Sequence, residues 1–360
     1  MRLAISTGGG DAPGLNAVIR AVVLSATARG WETVGIQRGF GGLLGDARCV
    51  PLDRDAVRGI THLGGTILGT SNRGNPFRYV ITAADGTQQE VDRSDELVAE
   101  FRRRGFDALV SIGGDGSLQI AERLAEKGIP VVGVPKTIDN DIVGTERSFG
   151  FVTAVEVATE AIDRLHTTAE SHDRVMVVEL MGRHAGWIAV ASGVAGSADV
   201  ILIPEIPFDM ECVARKVLER EANGRRFSIV VVAEGAVPRG GSTVLLEKAG
   251  AGTVDRLGGI AALVGQGIEQ RTGKEVRSMV LGHLQRGGAP STSDRLLALR
   301  YGAAAVRAVA DGDFGTMVAL NGGIIHTIPL ASVAGRTRTV PLDSDTLQTA
   351  RDLGISLGDC

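Results

Sequence analysis

Leu3-Ala4-Ile5-Ser6 is followed by Gly8-Gly9-Gly10-Asp11-Ala12-Pro13-Gly14-Leu15-Asn16 and then by a helical pattern over Ala17–Ala28. This opening reads as a buried strand, a glycine-rich turn and an amphipathic helix. The same alternation recurs along the chain. Thr33–Ile36, Ala108–Ile112, Val131–Val134, Val175–Glu179, Val200–Ile203 and Ile229–Ala233 are short β-branched runs that read as buried parallel strands. Between them, Thr153–His166, Glu211–Glu221 and Ile260–Arg271 have helical periodicity. Strands alternating with helices predict an α/β architecture with parallel sheets. In such sheets ligands bind beyond the carboxyl ends of the strands, so the strand-following loops are where chemistry is expected. Arg78–Asp95 is polar, lacks a clear period and reads as a surface excursion.

The chain has 360 residues, long for one core, so two domains are expected, with a boundary near residue 150 and a later return of the chain. Its formal net charge is -4, which gives it no general pull toward nucleic acid, so any phosphate binding must be local. No apolar run approaches the roughly 20 residues that a membrane span needs, and the first residues lack a signal-peptide pattern. Cys49, Cys212 and Cys360 form no CxxC and no metal-like cluster, and they read as reduced cytosolic thiols without chemistry. The 50 glycines are the unusual feature, and they point to tight turns or to backbone meeting a ligand.

Three loops carry the candidate chemistry. Gly8–Asn16 offers backbone amides and a helix N-terminus to a polyphosphate, although a plain strand-to-helix turn would look the same. Gly113-Gly114-Asp115-Gly116-Ser117 places a carboxylate between glycines at a strand end, suited to Mg²⁺ or, more simply, to capping the next helix. Pro135-Lys136-Thr137-Ile138-Asp139-Asn140-Asp141 is the most informative. Two carboxylates two residues apart beside a lysine make little sense as scaffold, because buried like charges need a metal or a proton to balance them. One carboxylate would take a proton from an acceptor hydroxyl, and the other would serve a metal or position its partner. Met181-Gly182-Arg183-His184 and Leu281-Gly282-His283-Leu284-Gln285-Arg286 also follow strand-like runs, and Arg174 and Arg277 begin such runs. Arginine at loop ends can hold a phosphate dianion through its two-pronged geometry. Glu234 could accept hydrogen bonds from sugar hydroxyls.

Together, and in this order, these segments resemble the 6-phosphofructokinase family from Gly8 to about Gly288, most specifically over Pro135–Asp141 and Gly282–Gly288. The resemblance implies two similar Rossmann-like three-layer domains with mainly parallel sheets and an active-site cleft between them. It divides the chain into a nucleotide- and Mg-binding domain, 1–150 plus about 285–335, and a sugar-phosphate-binding domain, 151–284 plus the C-terminal segment. It implies a cytoplasmic glycolytic kinase that phosphorylates the 1-hydroxyl of fructose 6-phosphate with ATP and Mg²⁺. Asp139 would be the base, with Lys136, Gly116 and Arg183 completing the catalytic set. The sugar phosphate would meet Thr137, Ile138, Asp139, Arg174, Met181, Gly182, Arg183, Glu234, Arg277, His283, Leu284, Gln285 and Arg286. The nucleotide would meet Gly10, Arg73, Gly114, Asp115, Gly116 and Ser117, and Asp115 would hold the metal. Residues matching Arg174 and Arg277 reach in from a neighbouring subunit in that family, so a homodimer or homotetramer is implied.

Two departures bear on donor and regulation. Lys136 looks like the pyrophosphate-using branch, yet that branch carries aspartate where this chain has Gly116. The pair resembles a mixed subgroup whose members with this glycine use ATP. The position matching an effector-site arginine is Leu63, leaving Arg20, Arg225 and Arg226 as candidate effector cations. A pyrophosphate-dependent enzyme of the same fold is the close alternative, and sedoheptulose 7-phosphate is an alternative acceptor. A non-catalytic sugar-phosphate sensor should have lost a carboxylate, and Asp115, Asp139 and Asp141 are all present.

Overall fold

Val131–Thr137, buried at every position, lies inside an eight-stranded sheet and delivers the Asp139 loop. Ala108–Gly113, Arg2–Thr7 and Glu32–Ile36 lie parallel on one side of it, and Thr316–Asn321 lies parallel on the other. Cys49–Leu52 and Ile324–Pro329 close the two edges antiparallel. The computed structural model describes residues 1–45, 48–71, 74–83, 85–247 and 256–360.

Alternation along each strand makes three layers. Leu3, Ile5, Val110 and Val132 pack under the helices Leu15–Thr27 and Thr292–Ala310. Ala4, Leu109 and Val131 face the opposite side, under Ser94–Arg103 and Asp115–Glu126. Burying each large aliphatic side chain contributes about 1.5–3 kcal/mol, which allows this core to hold polar groups at the strand ends.

A second, four-stranded sheet runs Val200–Leu202, Ser228–Ala233, Val175–Leu180, Val276–Val280, all parallel. Phe151–His172 and Trp187–Ala195 cover one face, and Met210–Ala222 and Ile260–Thr272 cover the other. The chain returns to the large sheet through Thr292–Asn321, and then Val340, Leu347, Ile355 and Leu357 join the core of the small one. Among the described residues no helix is long and apolar enough to cross a membrane.

Gly14 and Gly150 set the join between the two sheets. Both begin helices with left-handed backbones, φ 112° and 99°. A Cβ on Gly14 would lie 2.8 Å from the Phe149 ring, and one on Gly150 2.8 Å from the Ala12 methyl. The helix starts can therefore approach only without side chains, which draws the Gly8–Asn16 loop against the end of the Asp139 loop.

Arg78–Asp95 lies at the surface as expected, its described residues exposed or half-buried apart from Ser94, and it holds an antiparallel hairpin, Tyr79–Thr82 with Gln88–Val91, and the start of a helix at Ser94. One expectation needs correction: the cysteines are not three free thiols. Cys212 and Cys360 form a disulfide across 148 residues, with Cα atoms 5.8 Å apart, and Cys49 alone is free. A pairing that distant leaves no spacing signature. It anchors the segment carrying Cys360 to the helix Met210–Ala222. Thiol titration of the denatured, unreduced protein should give one reactive group per chain, and three would contradict the pairing. Cross-linking so long a loop contributes up to about 5 kcal/mol in the chain-entropy account, so reductant should lower Tm by several degrees.

Candidate active site

The glycine loop, the Asp115 loop and the Asp139 loop sit side by side because their strands are neighbours in the large sheet. Lys136, only 3% exposed, reaches across and donates to the Gly10 carbonyl. Arg286, from the 3-10 turn Gly282–Arg286 after the small sheet, donates to the Asp11 carbonyl at 3.0 Å. Its guanidinium lies so close to Gly10 that a Cβ there would meet Nη1 at 2.9 Å. Two cations from two sheets therefore brace one glycine loop.

Asp139 stands at the meeting point. Its backbone N–H donates to Thr137 Oγ1 at 3.1 Å, while its Oδ1 is sealed from solvent with no hydrogen-bond partner among the described residues. Burial, reinforced by the nearby Asp141 charge, pushes the Asp139 carboxyl up to about 7, against the pull of Arg286 and Lys136. Burial raises Asp141 as well, and the Asp115 charge adds to that. The Lys136 ammonium is held down to about 8 by burial and by Arg286, opposed by Asp11, Asp139 and Asp141. Asn140, at φ 53°, supplies the left-handed turn between the two aspartates, a conformation asparagine tolerates better than most residues. Its Oδ1 accepts from the Ser148 N–H at 3.0 Å, which pins that turn.

Asp115 opens the helix Asp115–Glu126. Gln119 donates to Oδ2 at 2.8 Å and the Gly335 N–H to Oδ1 at 2.9 Å, which orients the carboxylate. Gly116 is exposed, and a Cβ there would meet nothing within 4 Å. Gly114 is the residue before that helix, beside the Lys136 carbonyl. Ser117 packs back on Gly8 and Gly113, where added Cβ atoms would lie 2.7 Å and 2.5 Å from its hydroxyl.

Across the cleft, the Gly235 N–H donates to the Gly182 carbonyl at 3.1 Å and the Glu234 N–H to the Leu180 carbonyl at 2.8 Å, zipping together two loops of the small sheet. This zip carries Met181, Gly182, Arg183 and Glu234. Burial raises the Glu234 carboxyl, and the Arg183 charge opposes that rise. Glu234 and Arg286 both act on Asp139, so groups from the two sheets converge there. His283 and Leu284 are exposed on the 3-10 turn.

Other expected residues lie elsewhere. Ile138 and Gln285 have fully buried side chains. Ile138 belongs to the small sheet's core, and Gln285 donates to Gly282 O of its own turn, so neither side chain faces the cleft. Arg174 and Arg277 are brought together, not to Asp139 but to Glu275, which ion-pairs with both. They sit at the amino ends of paired strands whose carboxyl ends feed the cleft, and a six-residue strand spans roughly 20 Å. Arg73 falls outside the described residues. Motif reading missed Asp11, Gln119 and Gly335. Asp11 was visible inside the glycine loop, but Gln119 and Gly335 carry no local signal.

The folded Asp139 carboxyl titrates near 7, against an ordinary value of 3.8. Between those pH values the folded protein keeps a proton that the unfolded chain has released, so stability falls as pH rises through that window. Asp139→Asn should therefore be more stable than the parent above pH 7, by an amount on the order of a few kcal/mol. The gain should fade toward pH 4. Equal denaturation midpoints of variant and parent at pH 8 would contradict the buried carboxylate.

A phosphofructokinase family model matches residues 2–309. The "ATP-dependent 6-phosphofructokinase" of Chloroflexus aurantiacus is 55% identical over 360 residues, covering 99% of this chain and 98% of that one. The "Pyrophosphate--fructose 6-phosphate 1-phosphotransferase" of Amycolatopsis methanolica is 54% identical, over 95% of this chain and 96% of that one. Among solved structures, Pichia pastoris phosphofructokinase in the T-state superposes with TM-score 0.79 at 31% identity, covering 97% of this chain and 36% of that longer chain. Match to the family model, full-length identity above half and the same two-sheet fold agree: the chain belongs to the phosphofructokinase family.

Proposed function

We propose that this chain is an ATP-dependent 6-phosphofructokinase, transferring the terminal phosphoryl group of ATP to the 1-hydroxyl of fructose 6-phosphate. The observation that carries the reading is Asp139, a carboxylate with a sealed, unpartnered oxygen and a titration point near 7. A general base works best with its pKa near the operating pH. Asp139 takes the proton of the 1-hydroxyl as that oxygen bonds to phosphorus and ADP leaves. Lys136 and Arg286 put positive charge between the glycine loop and the base, where charge on the moving phosphoryl group develops. Arg183 and Glu234 hold the sugar on the opposite wall. We assign the donor side to 1–150 with about 285–335, and the sugar side to 151–284 with the segment that follows.

Mg²⁺ fits this arrangement. Asp115 and Asp141 are hard oxygen donors, and Asp115 lies close enough for its charge to raise the Asp141 carboxyl. The described residues hold no group of three metal-type ligands, and Mg²⁺ takes few protein ligands, filling its shell with phosphate oxygens and water. Bound there, the ion would neutralise charge on the donor phosphates.

Arg174 and Arg277 are assigned to the sugar phosphate of a neighbouring subunit in a homo-oligomer. Their position a strand's length from their own Asp139 supports this. Replacing either with alanine should raise KM for fructose 6-phosphate about tenfold to a hundredfold, the worth of a charged hydrogen bond. Unchanged KM in both variants would return them to a surface role beside Glu275.

Pyrophosphate is the second reading for the donor, favoured by Lys136 and by the Amycolatopsis methanolica relative. Gly116 decides between them. The space beyond its Cα is open, leaving room for an α-phosphate. An aspartate there would repel that phosphate by about 4 kcal/mol at 4 Å and an effective dielectric near 20, nearly a thousandfold. Lys136 assists either donor, whereas a charged block excludes one. The test is kcat/KM with fructose 6-phosphate and each donor, then the same with Gly116→Asp. ATP should win in the parent and lose by two to three orders of magnitude in the variant. Pyrophosphate preference in the parent, or undiminished ATP use by the variant, would sink the argument.

A further inference from the structure

Residues 335–340 contact the Asp115 loop, the Asp139–Asp141 loop and Trp187, the residue after the Met181–Gly186 loop. The Gly335 N–H donates to Asp115 Oδ1 at 2.9 Å. Thr337 bridges antiparallel to Ile142, and the Arg338 N–H donates to the Asp141 carbonyl at 2.7 Å. The Arg338 guanidinium reaches the carbonyls of Asn140, at 3.2 Å, and Glu146, at 3.0 Å. The same guanidinium lies 4.3 Å above the Trp187 ring, and the Trp187 indole N–H donates to the Arg338 carbonyl at 3.0 Å. Trp187 directly follows the Met181–Gly186 loop. Glu205 finishes the connection, accepting from the Val340 N–H at 2.8 Å and from the Gly186 N–H at 3.0 Å.

We propose that Arg338 is a positioning residue, which, with Trp187 and Glu205, sets the loop bearing Asp139 and Asp141 against the sugar-side loop Met181–Gly186. The inference rests on the kinase reading for its kinetic arm only. The physical case is the choice of side chain. Nη1 alone serves both carbonyls while the guanidinium lies over the indole; the delocalised, weakly hydrated, always-charged plane suits that stacked position better than a compact, strongly hydrated ammonium on a flexible stem. One carbonyl is that of Asn140, the left-handed turn where a rotation would swing both aspartates, and the other, on Glu146, also accepts from Asn140 Nδ2 at 3.4 Å. The indole belongs to the other sheet's first helix after the sugar loop. Arg338 thus fixes a distance between two walls that no single sheet fixes, and misplacement by about 1 Å between reacting groups can cost about a hundredfold in rate.

The experiment compares the parent with Arg338→Ala, Arg338→Lys and Trp187→Phe by amide hydrogen exchange and by steady-state kinetics. Exchange is independent of activity. Peptides covering 138–147 and 181–187 should both exchange faster in Arg338→Ala, while the helix Thr292–Ala310, which Arg338 does not touch, should keep its protection. In the kinetic arm, kcat should fall about tenfold to a hundredfold, with KM for both substrates within a fewfold. Arg338→Lys should recover little and Trp187→Phe should show an intermediate loss. If Arg338→Ala does not fold, the lysine and phenylalanine variants carry the same two readouts. Unchanged exchange in both loops overturns the proposal, as does full kcat in every variant, or full rescue by lysine. A parent without turnover would sink the kinase reading and leave the exchange result to judge the positioning.

Discussion

Burying the Asp139–Asp141 loop is the constraint on which the rest depends. Two carboxylates and a lysine at the end of a fully buried strand are costly, because desolvating each charge takes several kcal/mol in real proteins. The fold meets that cost in three ways. Lys136 and Arg286 supply opposite charge, the Asp139 proton is retained to about pH 7, and two three-layer cores hold the walls in place. The residual imbalance is the useful part. A carboxyl that would rather be neutral is a carboxyl ready to accept a proton.

That balance explains why cations come from both sheets. Lys136 belongs to the strand that carries the base, and Arg286 to the turn after the small sheet, yet both grip the carbonyls of one glycine loop. The donor loop is thereby held by the sugar wall as well as its own. Segment 335–340 does the reverse, attaching a late stretch of chain to Asp115, Asp141 and Trp187 at once. The cleft is consequently defined by contacts that cross it rather than by either sheet alone.

Much of this was legible in the sequence because it is local. Strands such as Val131–Val134 announce themselves by continuous apolar runs, and each predicted strand is present. The glycine loops and the paired carboxylates are short motifs whose composition only makes sense as chemistry. What escaped reading depends on distance. Cys212 and Cys360 meet across 148 residues. Arg338 has no motif of its own and gains meaning from Asn140, Glu146 and Trp187. Ile138 and Gln285 sat inside the right motifs but turn into the core, since alternation along a strand end or a 3-10 turn sends some side chains inward. The polar 78–95 stretch hid a hairpin because an exposed two-stranded ribbon needs no apolar face.

The central claim is that burial and Asp141 hold the Asp139 carboxyl near neutrality, and a direct titration tests it. Infrared difference spectra of protein with isotope-labelled aspartate, parent minus Asp139→Asn, isolate that carboxyl's stretch as pH is varied. The account predicts a midpoint near 7. A midpoint near the ordinary 3.8 would contradict it, because the residue would then be a solvated carboxylate and the site would lack its base.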